Sequence, residues 1–326
     1  MLTKRFGLRL VVYAFGAAAW LALPSAQAAP GKQRVHVQYA AKSAAKSTAK
    51  RVAKVTMRKY VANRDSFELT ADGLPILKSA AALVVDFNDG HTIYGKNTQG
   101  VTPIASITKL MTSMVVLDAN LPLDETIYVD TADLDFVKHT YSRLAVGTGL
   151  PRGDMLRLAL MSSENRAAAS LSRSYPGGSA AFAAAMNRKA IELGMLNTHF
   201  VDSTGLSSEN VSTAEDLVRM VKAAYQYPLI REFTTTTAHE VETVAGRNLQ
   251  FRNSNGLVKN PEWEIGLSKT GYISEAGRCL VMQAKIGARH VVIVLLDSWG
   301  KYTRLADAKR IKKWLESHSG RKPRIG

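Results

Sequence analysis

The alternation of apolar and polar positions divides the 326-residue chain into unequal parts. Lys4, Arg5 and Arg9 precede an apolar segment from Leu10 to Leu23, followed by the small-residue pattern Ala26-Gln27-Ala28. From Ala29 to about Asn63 there are few residues large enough to anchor a core. A folded pattern then begins. Ala80 to Phe87 is rich in small and β-branched residues, Asn88-Asp89-Gly90 supplies a turn, and His91 to Tyr94 reads as the return strand of a hairpin. Ile107, Leu110, Met111, Met114, Val115 and Leu117 cover most of a helix circumference, which predicts a helix buried on nearly all sides, with Ser106 in its first turn.

Further helices are predicted after Pro151, over Ala167 to Leu171, and from Ala180 to Leu193, where Gly194 closes the last of them. Ser212-Thr213-Ala214-Glu215 reads as a capping box for a helix ending near Tyr225. Glu240 to Phe251 reads as a second hairpin, lying outside the core. Ile265 to Gly271, Cys279 to Ile286 and Val291 to Leu296 are strands, the last too apolar to face water on either side, and Ala306 to Leu315 is a terminal helix with Ile311, Trp314 and Leu315 inward. Strands at both ends and helices between them predict an α+β fold. Its antiparallel sheet is built from the N- and C-terminal parts and packs against a helical cluster.

Composition refines this outline. The opening basic and apolar segments with Ala26-Gln27-Ala28 read as a secretory signal peptide over residues 1–28 rather than a membrane anchor, since the apolar run is shorter than the roughly 20 residues that span a bilayer. Residues 29–65 read as a basic low-complexity tether, 66–317 as the folded domain and 318–326 as a basic tail. Export implies an oxidising, periplasmic location, yet Cys279 is the only cysteine, so no internal disulfide can form. The net charge of +16 sits in the flanks: residues 1–64 hold 13 basic and no acidic residues, whereas 65–308 carry 23 basic and 26 acidic ones. A basic arm suits peripheral contact with membrane or an anionic wall polymer, or is simply a solvated tether. Nucleic acid is disfavoured by the export signal and by the lack of interleaved aromatic and basic residues.

The candidate chemistry starts with Ser106 and Lys109, which a helix places on one face, close enough for a buried, neutral amine to accept the hydroxyl proton. The alternative is a lysine snorkelling from a core helix. Other Ser-x-x-Lys copies carry no such context: Ser43 with Lys46 and Ser47 with Lys50 lie in the tether, and Ser298 with Lys301 spans Trp299-Gly300. Ser163-Glu164-Asn165 offers a hydroxyl and an amide at a helix junction, with Glu164 expected to face partners on the helix surface. Lys269-Thr270-Gly271 offers a cation, a hydroxyl and a glycine that admits a substrate backbone. A second Ser-x-Asn, Ser208-Glu209-Asn210, reads as loop structure, and Cys279 as a small buried hydrophobe. The seven histidines form no metal-like cluster, so no metal and no cofactor are expected.

In this order the three motifs match the signature of penicillin-binding proteins and serine β-lactamases. Over residues 75–317 the chain resembles the low-molecular-mass penicillin-binding proteins, which are D-alanyl-D-alanine peptidases acting on peptidoglycan. The segments TPIASITKLMT, LMSSENRAAASLSRSYPGG, FVDSTGLSSENVSTAEDL and IVLLDSWGKYT are most similar to the endopeptidase branch. The resemblance implies a β-lactamase/transpeptidase-like fold and assigns roles. Ser106 is the acylated nucleophile, Lys109 its base, and Ser163 the relay to the leaving amine. Asn165, Lys269, Thr270 and Gly271 bind substrate, and the backbone N–H groups of Ser106 and Tyr272 form the oxyanion hole. It implies peptidoglycan stems and crosslinks as substrate and β-lactam antibiotics as covalent inhibitors.

Endopeptidase cleavage of crosslinks is the expected activity, and a carboxypeptidase removing terminal D-alanine is the alternative. Only 27 residues follow Trp299, too few for the further β-rich domain and anchor common in the carboxypeptidase branch. A β-lactamase is less favoured, because no Glu-x-x-Leu-Asn segment lies between Asn165 and Lys269 to activate a deacylating water. A non-catalytic wall-binding protein would need the three motifs to persist as structure alone.

Overall fold

The computed structural model describes residues 68–318. The expected signal peptide, the tether, the two Ser-x-x-Lys copies within it and the tail beyond His318 lie outside the described residues. Chain order begins with β1 (Ser79–Asp86) and β2 (Thr92–Lys96), the predicted hairpin, then the short β3 (Thr102–Pro103). A single 3-10 turn, Ala105–Thr108, leads into α1 (Lys109–Asp118), whose residues Lys109 to Val116 are all buried. Next come β4 (Thr126–Tyr128), β5 (Gly149–Pro151), α2 (Arg152–Met161), α3 (Asn165–Arg173) and α4 (Gly178–Glu192). They are followed by β6 (Val211–Ser212), α5 (Ala214–Ala224), α6 (Pro228–Thr235), β7 (Ala238–Glu242) and β8 (Asn248–Arg252). Three ten-residue strands, β9 (Glu264–Ile273), β10 (Gly277–Ile286) and β11 (Arg289–Ser298), precede α7 (Thr303–His318).

The main sheet has the order β2-β1-β11-β10-β9, antiparallel throughout, so the first and last strands of the domain lie side by side. Leu83 pairs with Val294, and Val281 with Val294 from the other side. Both faces of this sheet are covered. Val281, Val292, Val294 and Leu296 pack on the helical cluster centred on α1, while Leu280, Met282, Ile293 and Leu295 pack on Ile311, Trp314 and Leu315 of α7. Burial on both faces is why these strands read as apolar runs rather than alternations. The buried Asp307 of α7 ties that helix to β1: its carboxylate accepts from the Lys78 and Ser79 backbone N–H and the Ser79 hydroxyl, and pairs with Arg310 at 2.6 Å.

Three local readings are corrected. The cap of α5 is Thr213, whose hydroxyl accepts from the Asp216 N–H at 3.1 Å. Ser212 is instead committed to β6, opposite Thr102, and Glu215 accepts from Thr98. The β7–β8 hairpin is not outside the core, because Val241 and Phe251 are buried and the Val244 N–H donates to the Gly149 carbonyl. Helix α6, with Pro228 at its start, is an element that the periodicity did not reveal.

Candidate active site

Three elements meet at the site: the turn before α1, the α2–α3 junction and the middle of β9. Ala105 (φ 48°) precedes Ser106 and Ser163 (φ 63°) starts the second motif, two non-glycine residues in the left-handed region. Such conformations cost about 1–3 kcal/mol each and persist where the surrounding structure over-determines them. The approach of β9 is equally tight. A Cβ added to Gly271 would lie 2.9 Å from the Ile104 carbonyl oxygen and 3.1 Å from the Ser106 nitrogen. One added to Gly205 (φ +77°) would lie 2.0 Å from the Ala105 oxygen. Only glycine lets these backbones meet.

Lys109 is fully buried, and its ammonium donates to Ser106 Oγ at 2.9 Å, Asn165 Oδ1 at 2.7 Å and the Thr204 carbonyl at 2.6 Å. Burial pulls its pKa down to about 7, while the charges of Asp202 and Glu164 push the other way. Lys269 is also buried, donating to Ser163 Oγ at 2.8 Å and to the Thr270 carbonyl at 3.0 Å. Its pKa lies well below the ordinary lysine range, first through burial and then through the positive charges of Lys109 and Arg304. Thr270 Oγ1 donates to Ser254 Oγ at 2.8 Å. Tyr272 is half exposed beside them, with the Arg278 guanidinium 4.3 Å over its ring.

The structure therefore brings Ser106, Lys109, Ser163, Asn165, Lys269, Thr270, Gly271 and Tyr272 to one place from three stretches of chain. Arrangements of this kind serve acyl transfer: a hydroxyl beside an amine near neutrality, a second hydroxyl beside a second cation, and backbone N–H groups at the point of close approach. The family described as D-alanyl-D-alanine carboxypeptidase matches residues 68–300. A D-alanyl-D-alanine endopeptidase of Pseudomonas aeruginosa is 52% identical over 75% of this chain and 80% of its own length. The chain belongs to this family of D-alanyl-D-alanine peptidases. Within it the chain falls in the endopeptidase branch, the endopeptidase of Escherichia coli K12 being 50% identical over 76% of this chain and 80% of its own. The solved DD-transpeptidase of Streptomyces K15 has the same fold, with a TM-score of 0.69 at 29% identity over 74% of this chain and 97% of that one.

Several residues of the peptidase's site were not visible in the motifs. Glu164 does not face the helix surface: it is 8% exposed, accepts from the Ser142 hydroxyl, and has a pKa raised by burial. A carboxylate flanked by two motif residues is drawn inward with them because the α2–α3 junction itself is buried. Arg304 at the start of α7 donates to the Gly271 carbonyl at 3.3 Å and adds a second cation behind β9. Gly205 and Thr204 belong to the segment DSTG, which lies within a stretch that carries the family resemblance but in none of the three motifs. The second Ser-x-Asn is loop structure: Asn210 is buried, accepting from the Val201 N–H at 2.8 Å and donating to Thr108 Oγ1 at 3.1 Å. Cys279 is a buried thiol whose pKa is pushed up to about 11 by burial. Among the described residues no group of three or more His, Cys, Asp or Glu is placed to hold a metal, and no helix is long and apolar enough to cross a membrane.

Proposed function

We propose that this serine D-alanyl-D-alanine peptidase cuts the peptide crosslinks of peptidoglycan through an acyl-enzyme on Ser106. The observation that carries the reading is the fully buried Lys109 ammonium 2.9 Å from Ser106 Oγ, with a pKa of about 7. In its neutral form Lys109 takes the Ser106 proton as Oγ attacks the D-alanyl carbonyl carbon. The oxyanion is held by the Ser106 and Tyr272 N–H groups. As the C–N bond breaks, the proton taken by Lys109 reaches the leaving amine through Ser163, whose hydroxyl Lys269 holds at 2.8 Å. Water then gives a proton to the again neutral Lys109 and attacks the ester, and that proton passes to Ser106 Oγ as the acyl bond breaks.

In a crosslink, as in a terminal dipeptide, the leaving residue carries a carboxylate beside its amine. Lys269 and Arg304 supply positive charge for that anion and Thr270 a hydroxyl. The same feature fits a carboxypeptidase, the activity named by the matching family. The endopeptidase reading rests on identities of 52% and 50% to two endopeptidases, against 31% to the carboxypeptidase of Streptomyces K15. A periplasmic location, exported by the expected signal peptide, and covalent inhibition by β-lactams complete the reading. The basic tether would give peripheral contact with membrane or anionic wall polymer.

The test is digestion of purified crosslinked muropeptide dimers followed by mass analysis. Conversion to monomers is the expected result, and loss of one alanine with the crosslink intact would overturn it. Ser106→Ala is expected to abolish both turnover and covalent penicillin labelling.

A further inference from the structure

Asn165 carries two opposite requirements in one amide. Its Oδ1 accepts from the Lys109 ammonium at 2.7 Å, and its Nδ2 must then face away from that cation. The Nδ2 group donates to Thr140 Oγ1 at 2.9 Å. Thr140 lies on the loop between β4 and β5, where no motif pointed. Its hydroxyl hydrogen is already committed, since Thr140 Oγ1 donates to Asp135 Oδ2 at 2.8 Å. Asp135 is itself fixed, accepting from the backbone N–H groups of Val137, Lys138 and Thr140 at 2.8–2.9 Å. Hydrogen bonds to a carboxylate favour its charged form, and a charged Asp135 is acceptor-only. The polarity of the whole chain is thereby set, from Asp135 through Thr140 to the Asn165 amide.

We propose that Asp135 and Thr140 are positioning residues that fix the orientation of the Asn165 amide during catalysis. The need arises at one moment. While Lys109 is an ammonium it can only donate, and this alone holds Asn165 Oδ1 toward it. Once Lys109 is neutral, as a general base must be, its nitrogen both donates and accepts and no longer distinguishes the two ends of the amide. The Thr140 hydroxyl then decides. A flipped Asn165 would turn its carbonyl to the substrate where a donor is required. The inference rests on the proposed roles of Lys109 and Asn165. A salt bridge from Lys138 to Glu275, in the β9–β10 turn, ties the same loop to the opposite wall of the site.

The experiment measures acylation by a fluorescent penicillin across pH in the full-length protein, with thermal midpoints recorded for every variant. Thr140→Val keeps the shape and removes the hydroxyl. It is expected to acylate roughly tenfold more slowly on the alkaline side, the size of one lost hydrogen bond to a functional group. The deficit should shrink below about pH 7, where Lys109 is charged. Thr140→Ser restores the hydroxyl and is expected within about threefold of wild type throughout. Asp135→Asn, which can donate to Thr140 and reverse the chain, should reproduce the alkaline deficit and serves if Thr140→Val does not fold.

Asp202, Glu164 and Lys269, whose charges act on or with Lys109, are unchanged in all of these variants. The neighbouring imidazole of His139 is removed by repeating the profile in a His139→Gln background. A deficit equal at all pH values, or none, would overturn the proposal. If wild type itself is not labelled while Ser106 is intact, the acyl-transfer reading fails instead, so the two failures are distinct.

Discussion

The site contains two buried lysines, each donating to a serine, and they sit in opposite electrostatic settings. Lys109 is desolvated, but Asp202 and Glu164 partly offset this and leave its pKa at about 7. Lys269 is desolvated among cations alone, with Lys109 and Arg304 lowering it further. Lys109 is thus poised by the protein near neutrality, where a general base works best. Under the proposed function, an incoming substrate carboxylate supplies the negative charge that burial beside Lys109 and Arg304 leaves Lys269 to attract. The proposed function uses the first lysine to exchange a proton and the second to receive an anion.

Removing each lysine in turn is the strongest way to break this contrast. Lys109→Ala is expected to slow acylation by every substrate by roughly 10²–10⁴-fold, the usual worth of a general base. Lys269→Ala is expected to cost less, roughly 1.5–3 kcal/mol as for one charged hydrogen bond, and to fall mainly on KM for carboxylate-bearing substrates. Steady-state kinetics on a D-alanyl-D-alanine peptide would check both. Equal losses in kcat for the two variants would erase the distinction.

A finer test alters the field at Lys109 without touching either lysine. Glu164→Gln keeps an acceptor for the Ser142 hydroxyl and removes a negative charge that raises the Lys109 pKa. Because Lys109 must lose its proton to act, activity rises with pH through its pKa, giving an acidic limb near 7 in the wild type. Removing the supporting charge makes the ammonium less favourable, so the limb moves to lower pH. The pH profile of penicillin acylation measures this, and a limb that stays fixed or moves upward would show that Glu164 does not act on Lys109.

The contrast between the lysines also marks what the amino-acid pattern could convey. Ser106, Lys109, Ser163, Asn165 and Lys269-Thr270-Gly271 were legible because each motif is contiguous and the elements carrying it have strong periodicity. The sheet was legible for a similar reason, since burial on both faces leaves long apolar runs such as Val291 to Leu296. The settings of the two lysines were not legible. Asp202 and Thr204, from one loop, and Arg304, from the start of α7, reach the site outside the three motifs, and nothing in their residue types distinguishes a site residue from a turn or a helix start. Glu164 was misread outward because Glu is rarely buried, yet the buried α2–α3 junction carries it inward. Helix α6 was missed because eight residues hold too few turns to establish a period.

The smallest effect concerns the strand that backs the second lysine. Cys279 on β10 lies directly opposite Gly271 on β9, so the lone thiol is one strand away from the site's closest backbone approach. Its surroundings argue for packing rather than chemistry. The side chain is completely buried, its Sγ contacts the Ala276 carbonyl at 3.4 Å, and burial pushes its pKa up to about 11. A thiol held neutral in this way is a poor nucleophile. Cys279→Ala is therefore expected to cost about 1 kcal/mol of stability for the lost volume and to leave acylation unchanged, as thermal melts and penicillin labelling would register. In the folded wild type, thiol reagents should not slow acylation. Loss of labelling after such treatment would mean that β10 opens enough to expose the sulfur, and that the wall behind Lys269 is less rigid than the wall behind Lys109.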